Sequence, residues 1–137
     1  MATFTKFQSF VEALAEKTHN LGSDTLKIAL TAAGNAPVNT NTVLANLTEI
    51  SYTNLSARTV TVTGSAQTSG TYKLTCSDLV LTASGAVATF RYVVLYNDTA
   101  SNDELIAFWD VGSNVTLADT DTFTIDFDAS NGVLQIA

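Results

Sequence analysis

The run Thr122-Phe123-Thr124-Ile125-Asp126-Phe127-Asp128 alternates without a break between apolar and polar residues. Successive side chains on a strand point to opposite faces, so such a segment has one dry face and one face of threonine and aspartate. The same pattern, less strictly kept, fills the chain from Val87 onward. Phe90 to Tyr96 is apolar at nearly every position, which predicts a strand covered on both faces or lying centrally in its sheet. Leu105 to Val111 carries Phe108 and Trp109 side by side, one large aromatic for each face of its sheet. Between them Asn97 to Asp103 reads as a polar loop. Asn131-Gly132 suits a tight primed turn into Val133 to Ile136 and predicts a terminal β-hairpin.

Upstream the signals are of the same kind. Leu26, Ile28 and Leu30 alternate with Lys27, Ala29 and Thr31, and the run breaks at Ala32 to Pro37 around the only proline. Arg58 to Thr63 and Thr71 to Leu81 read as half-buried strands, the second with Tyr72, Leu74 and Cys76 on one face. Asn39 to Ser56 has apolar residues without a firm period and reads as a long loop carrying a short edge strand. The chain holds 22 threonines, which suit a pleated, half-buried surface. One helix is expected. Phe4, Phe7, Phe10, Val11 and Leu14 fall three or four apart and form an apolar stripe, with Thr3 or Thr5 to cap its start and His19-Asn20-Leu21-Gly22 to end it. This stripe either packs on the sheet or docks on another chain, which makes Phe4, Phe7 and Phe10 the interface candidates.

Seven or eight short strands and no recurrent helices between them predict an all-β fold: a two-sheet β-sandwich or jelly roll with one N-terminal amphipathic α-helix. At 137 residues the chain is expected to form a single domain, 1-137, with the helix and its cap in 1-22 and the strands in 23-137.

Charge narrows the function classes. Six Lys and Arg against 13 Asp and Glu give a net charge of −7, which repels phosphate backbones, so nucleic acid is not an expected partner. No apolar stretch approaches bilayer-spanning length, so no membrane partner is expected either. A lone Cys76 and the lack of a basic stretch followed by an apolar run at the N-terminus point to synthesis in a cytoplasm. The triplets at Asn46, Asn54, Asn97 and Asn114 are then chance matches to a glycosylation pattern.

The residues offer little chemistry. His19 is the only histidine and lies at the expected helix end, where a capping or solvent-exposed role is simplest. Cys76 lies within a strand pattern as a small buried residue. One His and one Cys do not make a zinc site. Asp119, Asp121, Asp126 and Asp128 supply oxygen ligands but lack the central Gly and final Glu of a calcium loop, so a solvated acidic rim is the better reading. No catalytic residues, metal ligands or cofactor are therefore assigned. Tyr52, Tyr72, Tyr92, Tyr96 and Trp109 could line a sugar-binding face.

Several stretches carry a resemblance. They are Phe7 to Leu14 with His19 to Thr31, Ser69 to Leu74, Phe90 to Asp98, Val115 to Asp119, and Thr122 to Asp128 with Gly132-Val133-Leu134. Over these the chain resembles a family of small virion structural proteins of tailed bacteriophages, similar to capsid decoration (cement) proteins. The resemblance implies a protein without enzymatic activity, made in the host cytoplasm and carried on the capsid surface. Its implied partners are the major capsid protein and further copies of itself, as a homodimer or homotrimer. The alternative role is a tail, neck or head-fibre module that recognises a host-surface glycan.

Overall fold

The computed structural model describes residues 2–137. Phe90 to Asn97, the most apolar run in the sequence, becomes β7 at the centre of a five-stranded sheet. Around it lie β1 (Thr3–Lys6), β8 (Leu105–Val115), β2 (Leu26–Thr31) and β3 (Thr59–Val60), in the order β1-β8-β7-β2-β3. A three-stranded sheet orders β10 (Leu134–Ile136), β5 (Thr71–Cys76) and β4 (Val62–Thr68), and β6 (Leu79–Thr82) pairs with β9 (Thr122–Ile125). Every pairing between these strands is antiparallel. The helix α1 spans only Ser9–Ala15.

The alternation of β2 and β7 decides the layering. Leu26, Ile28 and Leu30 with Phe90, Val93 and Leu95 join one core with Leu74, Cys76, Leu81 and Ile125 of the two smaller sheets. Aromatic pairs cross between the layers, Phe90 to Phe123 at 5.2 Å and Trp109 to Phe127 at 6.2 Å, both edge to face. This layering is consistent with a β-sandwich. The other face of the five-stranded sheet, with Ala29, Val94 and Tyr96, is covered by Phe7, Leu44 and Leu47. That explains the missing period in Asn39 to Ser56. The segment lies across the sheet and is held by single bonds, Leu44 N–H to Asp103 O, Leu105 N–H to Thr42 O and Ile50 N–H to Leu30 O, each 3.0 Å.

Two expectations are corrected. The N-terminal helix does not reach Phe4, because Thr3 to Lys6 forms β1 against Asp110 to Ala107 of β8. Neither Thr3 nor Thr5 caps α1; Gln8 occupies the cap position without a side-chain bond. The helix also stops early, at Ala15, and Lys17 just past the Glu16 cap takes φ 67° while Thr18 N–H bonds Ala13 O and Lys17 N–H bonds Leu14 O. That is a Schellman ending, reached before His19 to Gly22.

Nor does the chain end in a hairpin. β10 pairs with β5 while β9 pairs with β6, so the segment after Ile125 crosses from one sheet to the other. Only Gly132 has positive φ there, and a Cβ at that position would lie 2.5 Å from Leu74 O. The close approach lets Val133 N–H reach Leu74 O at 2.7 Å, which starts the β10–β5 pairing. The two-residue primed turn occurs at Ser69-Gly70, both with positive φ, joining β4 to β5.

Candidate functional site

A concavity lies between the layers on the β1 side. Phe4 of β1 sits opposite Trp109 of β8, and their rings meet edge to face at 5.6 Å. Across from them run β9 and the crossing segment, which bring Phe123, Ile125, Phe127 and Val133 to the same hollow. The result is an apolar groove of about 810 Å³ that Asp126 and Asp128 also line. Phe4 is 41% exposed, a high value for an aromatic that belongs to the groove wall. The Asp128 carboxylate accepts Ser130 N–H, Asn131 N–H and Asn131 Nδ2–H, each at 2.8 Å. Those bonds hold its pKa below the usual carboxylate range. Asp128 therefore shapes the turn that leads into Gly132.

Of the three phenylalanines expected on a docking face, only Phe4 remains at the surface. Phe7 is fully buried against Phe108, with ring centroids 5.0 Å apart, and Phe10 packs beside His19 at 5.4 Å. The period-three spacing therefore carried core residues. Val11 is the large apolar residue that α1 exposes.

His19 corrects its expected role. It is buried, and its Nδ1 accepts a hydrogen bond from Asn97 Nδ2 at 3.0 Å. The same Asn97 nitrogen donates to Asp24 Oδ2 at 2.6 Å, and Asn97 Oδ1 accepts Thr99 N–H and Ala100 N–H. The polar hub thus ties the segment after α1 to the end of β7. Burial lowers the His19 pKa, against the opposing pull of Glu104 and Asp24. Because the folded pKa lies below the unfolded value, the folded state favours the neutral ring. Stability from this group is complete above the unfolded value of 6.5 and is lost as pH falls from there toward the folded pKa. Urea titrations at pH 7.5 and pH 5 should therefore show weaker folding at the lower pH, and His19→Phe should flatten that particular slope.

The other candidates disperse. Cys76 is buried and desolvation pushes its thiol up to about 11, which leaves it a weak nucleophile. Asp121 Oδ2 accepts Ala118 N–H at 2.9 Å. Among the described residues no three His, Cys, Asp or Glu side chains converge as a metal site would need. The tyrosines do not share a face. Tyr52 receives Leu30 N–H, donates to Glu49 Oε1 at 2.5 Å and lies under Arg58 at 3.6 Å, while Tyr96 is buried on the far side of the sheet. Of that set only Trp109 reaches the groove.

The groove itself is not legible in the sequence, because Phe4 meets Trp109 across more than a hundred residues of chain. The available signal was Thr3-Phe4-Thr5, three strand-favouring residues ahead of the helix. Compared with protein-family models, with curated proteins and with solved structures, the chain matches none.

Proposed function

We propose that this chain is a virion structural protein of a tailed bacteriophage, a decoration or cement protein that binds the outside of the major capsid lattice and stabilises it. The jelly-roll form of the sandwich belongs to the same reading. The observation that carries it on the structural side is the groove beside β1, an apolar hollow bounded by the 41%-exposed Phe4 at a sheet edge. A docking surface needs an apolar centre and a polar rim, and Phe4, Trp109 and Phe123 with Asp126 supply both. Rigid β-layers lose little entropy on binding, which suits a protein that must clamp a shell at many equivalent points. The net charge of −7 would keep decorated particles apart.

Quantitative protein analysis of purified particles tests the reading. Many copies per particle are expected, with particles that lose cargo at lower temperature when the protein is missing. Phe4→Glu, at an exposed position, should cut the bound copies by about tenfold or more, the loss typical of an interface anchor. A few copies per particle, or none, would overturn it.

The aromatic and carboxylate lining of the same groove favours one other reading, a fibre module that stacks a host glycan on Trp109 and Phe4. That role requires few copies per particle and direct binding to an oligosaccharide.

A further inference from the structure

Every open sheet has edges, and folded proteins guard them with short length, lysine, proline or cover from other elements. In this fold β3 and β10 are edges of two and three residues, β6 and β9 are the four-residue edges of a two-stranded sheet, and β1 is a four-residue edge that carries Lys6. The exception is β4. It is seven residues long, Val62 to Thr68, lies at the open edge of its sheet, and contains neither a charge nor a proline. Five of its residues are exposed. Its single irregularity, at Thr63 between Val62 and Gly64, leaves Gly64 to Thr68 in regular register with β5.

The direction of the free backbone groups follows from the pairing. Thr68 and Thr71 flank the two-residue turn and bond each other, so Ala66 faces Lys73 in the same way and the residues between them turn outward. Leu74 agrees: its carbonyl accepts Val133 N–H, on the side away from β4. Ser65, opposite Leu74, and Gln67, opposite Tyr72, therefore present their N–H and C=O groups at the open edge. Among the described residues no backbone bond outside the β4–β5 ladder reaches either of them.

Charge selects the occupant. From Thr59 to Cys76 the only charged side chain is Lys73, in a chain of net charge −7. Two copies repel each other over most of their surface and can approach most closely along this acid-free strip. We infer that β4 is the pairing edge for a second copy of this chain, joined antiparallel across a two-fold axis at Ala66. In that register Ser65 of each copy bonds Gln67 of the other, the two Ala66 methyls meet, and two three-stranded sheets become one of six. The axis satisfies the outward groups of both copies at once, as a self-complementary interface must. A single strand pair buries little area, so dissociation in the micromolar range is expected. The inference stands independently of the particle reading.

Sedimentation equilibrium on the full chain tests it, together with amide hydrogen exchange at several concentrations. A monomer–dimer equilibrium is expected, with the Ser65 and Gln67 amides gaining protection as concentration rises. Ala66→Asp should weaken the dimer at least tenfold, because two carboxylates would face each other across the axis. Within one chain the same substitution faces Lys73 and leaves the hairpin supported. Gln67→Pro, which removes one outward N–H, should act in the same direction. Val80→Asp, at an exposed position on β6, should leave the dimer intact. A monomer at concentrations up to about 100 μM, a trimer or larger assembly, or a dimer that survives Ala66→Asp would each overturn the inference.

Discussion

Phe7→Ala is expected to destabilise the protein by about 4 kcal/mol, the cost of emptying a fully buried aromatic site that cannot collapse. Phe7 has no exposed surface and joins β1 to the far face of the five-stranded sheet, where it packs with Phe108, Ala29 and Val94. Its own N–H continues the β1–β8 ladder by bonding Ile106 O at 3.1 Å. Loss of the ring therefore removes both the plug over that face and the anchor that keeps β1 in register. For a chain of this length a drop on the order of 10 °C in Tm is the corresponding reading. Phe4→Ala is the control: three residues away, 41% exposed, and expected to cost about 1 kcal/mol or less. Urea unfolding of both variants would decide it. Equal effects at the two positions would mean that the N-terminal segment is not divided between a surface strand and a core plug.

Asn97→Leu should cost about 3 kcal/mol although the side-chain volume hardly changes, because it strands the buried His19 and breaks three part-buried hydrogen bonds at once. Asn97 has no exposed surface. Its nitrogen serves His19 and Asp24, and its oxygen serves Thr99 N–H and Ala100 N–H, so the loop after β7 and the segment before β2 lose a common anchor. Asp24 keeps its bond from Asn20 N–H at 2.7 Å and remains near solvent, so His19 suffers most. Its Nδ1 would face a methyl group. The expected signature is a loss of stability near neutral pH, with protection lost first at the amides of Thr99 and Ala100. A variant with near-normal stability would show that the hub is replaceable by packing.

The helical spacing of Phe4, Phe7 and Phe10 is a local pattern that tertiary pairing overrides. Three phenylalanines three apart are compatible with a helix, yet Phe4 lies on a strand, Phe7 follows it and Phe10 alone lies in α1. A four-residue strand contributes little propensity of its own, so pairing with β8 outweighs the helical period. His19 departs from its sequence-based expectation for a related reason. Its place near a helix end suggested solvent, whereas its burial depends on Asn97, 78 residues away.

The strands β2 and β7, the Leu105 to Val111 part of β8, the interior of β5 and the Phe123-Ile125 face of β9 were determined by the sequence itself, whereas the single strand expected over Thr71 to Leu81 divides into β5 and β6 of different sheets. Alternation between apolar and polar residues is a local property, and it assigns each side chain to a face before any partner is known. Which strands pair was decided only in the tertiary structure. β10 joins β5 instead of β9 because Gly132 lets the backbone approach Leu74, and β1 joins β8 because their hydrogen bonds close over a long loop of chain. The groove beside Phe4 and the open edge of β4 are products of those choices. Both arise from contacts between residues far apart in the chain, to which a periodicity of two or three residues is blind.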